Sequence, residues 1–183
     1  MYSKDVVRIL IIDSGVDISH PCFHYENIQG INILDGSDNI EDQIGHGTAV
    51  ASILAGDHAE HEIYAIKMFT DSLEEDEETF LDTLRYVGEH FDQLKPDIIH
   101  ISAGVTMPIQ LDMMKRLCKS LIDKGCIIVA AFDNFGAISY PAAFPFVVGV
   151  DLSLRCFNKF QYEFLPGSLI NFVQLGTINA SHG

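Results

Sequence analysis

Three short segments carry residue types able to do acid–base or electrostatic chemistry. In Ile11-Ile12-Asp13-Ser14-Gly15-Val16-Asp17, Asp13 stands where an apolar run meets a glycine-containing turn. In α/β proteins that strand edge is where sites form. In Gly45-His46-Gly47-Thr48-Ala49-Val50-Ala51, a histidine between two glycines opens a helical pattern. The glycines clear side chains from around the imidazole and let other backbone approach. A helix start disfavours a cationic histidine, so a catalytic role there needs a buried carboxylate to accept the Nδ1 proton and stabilise imidazolium. Asp13 is the candidate. In Ile127-Ile128-Val129-Ala130-Ala131-Phe132-Asp133-Asn134-Phe135-Gly136, an asparagine just past an apolar run can aim its amide at a developing oxyanion.

Each segment also has a plain structural explanation. Aspartates end strands for turn reasons, histidines pack at helix ends, and asparagine favours loops. Their weight comes from occurring together and in order.

The elements that must position them follow from the hydrophobic pattern. Apolar runs at Val6–Ile12, Ile28–Leu34, Ile63–Phe69, Ile98–Ser102, Cys126–Phe132 and Phe146–Val150 are short and rich in Val and Ile. Such runs suit strands buried on both faces of a parallel sheet. Helical patterns lie between them at Gly45–Gly56, Asp76–Leu94 and Met107–Lys124, the last followed by a capping Gly125. Phe80, Leu81, Leu84, Val87 and Phe91 form one apolar helix face, and the acids Glu74 to Glu78 suit the helix start. Strands alternating with helices predict an α/β fold with a mostly parallel central sheet and helices on both faces. After Val150 the pattern weakens into loops and short strands. The chain of 183 residues reads as one domain.

Composition narrows the function classes. The net charge is −15, which repels phosphate backbones and anionic lipid, so nucleic acid and membrane surfaces are not expected partners. No apolar run reaches the ~20 residues of a membrane span. Met1 to Asp5 carries no signal-peptide pattern, which predicts a cytoplasmic chain. Cys22, Cys118, Cys126 and Cys156 fit no zinc template and read as buried free thiols. No glycine-rich phosphate loop supports a nucleotide-binding reading. Oligomeric state is not legible.

Asp13 after the first strand, His46 in Gly-His-Gly-Thr, Asn134 after a later strand and then Tyr140-Pro141-Ala142 resemble, in this order, the subtilisin-like serine proteases, the subtilases. The resemblance runs from Val6 to about Val150. It implies a subtilisin-like fold and a serine endopeptidase acting on peptide or protein substrates through an Asp-His-Ser triad. Asp13 would orient His46, His46 would act as general base and then acid, and Asn134 would donate to the oxyanion. Ser102, Ala103 and Gly104 match the family segment that pairs with substrate backbone, and Ala130, Ala131 and the residues up to Asn134 would line the other side of the pocket for the side chain before the scissile bond.

Three departures accompany the resemblance. Asp133 replaces a glycine common before the oxyanion asparagine, and its carboxylate would have to turn outward. No propeptide is expected ahead of the domain, which would resemble intracellular or specialised processing types. The Gly-Thr-Ser-x-Ala motif that carries the nucleophile is absent. Gly176-Thr177-Ile178-Asn179-Ala180 has Ile where Ser belongs, and this alignment implies an inactive, peptide-binding relative. Alternatively, Pro166-Gly167 is the turn ahead of the motif, Gly183 is the motif's first residue, and the serine lies beyond it. Ser168 and Ser181 lack the motif's flanks. No metal or cofactor is expected. Asp35, Asp38, Glu41 and Asp42 admit a calcium-site reading but suit a solvated loop, and His58 to His61 suits an exposed one.

Overall fold

The computed structural model describes residues 6–23, 27–55, 61–70, 76–134, 136–153, 155–156 and 161–174. Strands β1 (Val7–Asp13), β2 (Ile28–Asn32), β3 (His61–Lys67), β4 (Ile98–Ile101), β5 (Ile127–Ala131), β6 (Val148–Leu152), β7 (Tyr162–Phe164) and β8 (Phe172–Gln174) form one sheet in the order β2-β3-β1-β4-β5-β6-β8-β7. Every pairing is parallel except β7 with β8. After β1 the chain builds two strands to one side, then crosses to β4 on the other. The order therefore reverses beside β1, and the carboxyl ends of β1 and β4 flank the crevice that this reversal opens.

The helices divide the faces unequally. Helices α2 (Glu77–Glu89) and α4 (Leu111–Asp123) cover one face. There Phe80, Leu84, Met114 and Leu121 pack with Leu10, Ile12, Ile99, Ile101 and Ile128 in the main core. The other face carries α1 (His46–Ala55), whose Ala51 packs with Ile11, Ile63 and Ala65. Beyond α1, the strands β4 to β6 leave that second face partly open. Val129, Val148 and Val150 are half-buried, and Ile127 is 54% exposed.

The expected α/β architecture is present, with shifts at helix ends. The single helix expected over Asp76–Leu94 is two, α2 and a short α3 (Phe91–Leu94). Between them His90 turns its Nδ1 onto the Tyr86 carbonyl at 2.9 Å and stacks on the Tyr86 ring. Asp76 caps α2 by accepting from Thr79 N at 2.8 Å, as the acidic start suggested. Helix α4 begins at Leu111 rather than Met107. The Glu77 carboxylate takes the N–H groups of Ile109 and Gln110, both at 2.7 Å, so a neighbouring helix supplies its cap. Gly125 follows α4 with a φ of 107°, the left-handed geometry expected of a capping glycine. Cys118, Cys126 and Cys156 are buried free thiols; Cys22 is instead exposed, its Sγ 2.9 Å from His20 Nδ1. Among the described residues no helix is long and apolar enough to cross a membrane.

Leu84 has no exposed surface and sits where α2 meets the sheet. Leu84→Ala should cost about 2–5 kcal/mol in urea unfolding with an unchanged m-value.

Candidate active site

Asp13 ends β1 with 1% of its surface exposed. Its Oδ1 accepts from the Ser14 backbone N–H at 2.7 Å and fixes the carboxylate at the strand end. The His46 Nδ1 stands 2.8 Å from Oδ1 and 3.0 Å from Oδ2. A buried carboxylate therefore holds the Nδ1 edge of the imidazole, and a third of the histidine side chain remains open to solvent. The hydrogen bond to Asp13 raises the His46 pKa above its ordinary value. Burial opposes the rise, and the charges of Asp13 and Asp42 reinforce it.

The glycines make this approach sterically possible. A Cβ on Gly47 would lie 2.1 Å from the Gly15 carbonyl oxygen and 3.1 Å from the Asp13 Cβ, so only glycine lets α1 reach the end of β1. A Cβ on Gly15, at φ 105°, would likewise lie 2.3 Å from the Ile40 carbonyl oxygen. The first N–H groups of α1 then find partners outside the helix. Gly47 N donates to Ser14 Oγ at 3.0 Å, and Thr48 N donates to Asp42 Oδ2 at 2.9 Å.

The remaining expected residues gather at the same edge of the sheet. Ser102, Ala103 and Gly104 leave the end of β4 half-buried to exposed, and Ser102 N donates to the Ile12 carbonyl of β1. Val105 then bridges to Tyr140, whose peptide bond to Pro141 is cis. Ala130 and Ala131 point to opposite faces of β5. Ala130 is buried in the main core, and Ala131 is half-buried on the face shared with α1. Asn134 is exposed in the turn after β5. Asp133 turns its Oδ2 into that turn, accepting from Ala137 N at 3.3 Å, while its own N–H donates to Ser139 Oγ.

Asp42 is the residue that the sequence undervalues. Its carboxylate faces the start of α1 instead of joining an acidic loop cluster. Asp35 accepts from Ser37 N within its own turn. Among the described residues no group of three or more His, Cys, Asp or Glu side chains is placed to hold a metal ion. His100 was also not singled out. It lies on β4 beside Ile11, on the face shared with α1, 3.3 Å from Ser102 Oγ. Burial pushes its pKa down, opposed by Asp13 and aided by His46. The segments around Ile178, Ser181 and Gly183, the acids Glu74 and Glu75, and His58 with Glu60 lie outside the described residues.

Known proteins resemble this chain in sequence and in fold. The model of the Subtilase family matches residues 4–162. The Subtilisin-like protease SBT6.1 of Arabidopsis thaliana is 28% identical over 160 residues, covering 81% of this chain and 15% of the plant protein. The Major intracellular serine protease of Bacillus subtilis (strain 168) is 28% identical over 175 residues, covering 82% of this chain and 53% of the bacterial one. Among solved structures, a cold adapted subtilisin-like serine proteinase superposes with a TM-score of 0.68 at 19% identity, over 84% of this chain and 58% of that one. S41 Psychrophilic Protease gives 0.63 at 25% identity, over 79% and 52%. The chain thus spans little more than half of the bacterial relative and of these solved structures, and a smaller share of the plant protein. A family match of that extent, on a sheet of this topology, establishes that the chain belongs to the subtilase family.

Proposed function

We propose that this chain is the acid–base and substrate-edge part of a serine endopeptidase that hydrolyses peptide bonds in peptide or protein substrates. The observation that carries the reading is the buried Asp13 carboxylate 2.8 Å from His46 Nδ1. With Nδ1–H donated to Asp13, the imidazole keeps Nε2 as the free base. Nε2 takes the serine hydroxyl proton as Oγ attacks the scissile carbonyl, then delivers it to the leaving amine. The exposed Asn134 amide, just past β5, is suited to hold the oxyanion, and the Ser102–Gly104 edge is suited to pair with extended substrate.

In this reading the nucleophile comes from chain that follows residue 183, because Gly-Thr-Ser-x-Ala does not occur in residues 1–183. The half-open face of β4 to β6 beside α1 supports it. Ile127, Val129, Val148 and Val150 offer an apolar seat there for a further helix.

A chain extended by its following segment should hydrolyse a denatured protein and react with a fluorophosphonate. His46→Ala should lower kcat by a factor on the order of 10⁶; unchanged hydrolysis would sink the assignment. The sign of the pH dependence follows from the raised His46 pKa. Only the neutral imidazole is a base, so kcat/KM should climb as pH rises through that value, above the ordinary histidine range. In Asp13→Asn the climb should move to lower pH, with kcat reduced by about 10⁴.

A further inference from the structure

We propose that Asp42 is a positioning residue for His46: a second carboxylate that locks the first turn of α1 so that the imidazole stays in register with Asp13. The inference rests on the reading of His46 as the base.

The Asp42 carboxylate is filled by donors from that turn. Oδ1 accepts from Ile44 N at 3.0 Å and Gly45 N at 2.8 Å. Oδ2 accepts from Thr48 N at 2.9 Å and Thr48 Oγ1 at 2.7 Å. Thr48 Oγ1 in turn accepts from Asp17 N at 2.9 Å, which ties the turn to the loop that follows Asp13. From the opposite side, the buried Lys67 donates its Nζ to the Glu41 carbonyl and pins the peptide just ahead of Asp42. Lys67 is itself the β3 residue in register with Asp13. Asp42 is thereby referenced to the same strands that hold Asp13.

An ordinary cap would stabilise α1 without bearing on chemistry. Here the first helical residue is His46, and the residues flanking it are Gly45 and Gly47. Glycines bring no side-chain packing to hold the turn, and Gly45 sits at φ 88°. Any unwinding of this turn carries the imidazole away from Asp13.

The charge of Asp42 acts in the same sense. The N-terminus of a helix carries about half a positive charge, which opposes imidazolium. The Asp42 charge offsets it and helps to raise the His46 pKa. Burial pushes the Asp42 carboxyl up, but the bonds from the Thr48 hydroxyl, Thr48 N and Gly45 N outweigh burial and hold it below the usual carboxylate range, so it is ionised throughout the histidine titration. The groups facing His46 are Asp13 from β1, Asp42 from the loop before α1 and the half-buried His100 from β4. Asp17 stands near Asp42, held below the usual range first by the Ser19 hydroxyl.

The test needs no nucleophile. The His46 ring is titrated by NMR in the 183-residue chain and in Asp13→Asn, Asp42→Asn, Thr48→Val and Thr48→Ser, with far-UV circular dichroism to check folding. Asp42→Asn should move the His46 midpoint to lower pH and speed exchange of the Nδ1 proton by about tenfold. Thr48→Val should keep most of the midpoint but speed that exchange, and Thr48→Ser should restore it. A folded Asp42→Asn chain with an unmoved midpoint and unchanged exchange overturns the proposal. If Asp42→Asn does not fold, Thr48→Val decides, and wild-type exchange in that variant overturns it. An unmoved midpoint in Asp13→Asn would overturn the acid–base reading beneath, and the proposal with it; a moved midpoint there confines any failure to Asp42.

Discussion

The bond between the buried Asp13 carboxylate and His46 Nδ1 sets the terms for everything near it. It joins the last residue of a central strand to the first residue of a helix, and both backbones must come closer than ordinary side chains allow. Gly47 makes that approach possible, and Gly15 lets the chain after Asp13 pass against the Ile40 carbonyl. Once the helix start is so close, its first N–H groups lose access to water and need partners, which Ser14 and Asp42 provide. Glycines, hydroxyl and second carboxylate all follow from placing a buried carboxylate beside an imidazole at the reversal point of the sheet.

Much of this was legible in the sequence. Asp13 and His46 stood out because each closes or opens an element visible from its apolar pattern, and because glycine flanking a histidine has a direct steric meaning. The strands were legible for the same reason: residues buried on both faces leave nearly continuous Val and Ile. The misjudged features depend on contacts between distant residues. The break at His90 comes from an imidazole that captures a carbonyl one turn back. The late start of α4 comes from Glu77, 33 positions before Gln110. Asp42 sat among Asp35, Asp38 and Glu41, and composition alone gives no reason to separate them. Only the return of the chain toward β1 makes Asp42 face the helix while Asp35 serves its own turn.

The sheet is dressed unequally. One face carries α2 and α4 over a continuous apolar core, while the other carries α1 over β1 and β3 and leaves β4 to β6 half-covered. Asp13, His46 and these half-covered strands share this second face. In the proposed reading, a helix docked there would be brought, by the same contacts that bury it, to the edge of the sheet where His46 stands.

The separations of the polar contacts along the chain have a kinetic meaning. Asp13 and His46 are 33 positions apart, Asp42 and Thr48 only 6, and Lys67 reaches back 26 to Glu41. The whole proton-handling network is written between residues 13 and 67, so it closes through modest loops at modest entropic cost. Each of these contacts closes a shorter loop than the β1–β4 crossing, where Arg8 and Asp97 are 89 positions apart. The Asp13–His46 contact is therefore cheap to close in chain entropy, while the strand that carries Asp13 is held by pairing with both β3 and β4.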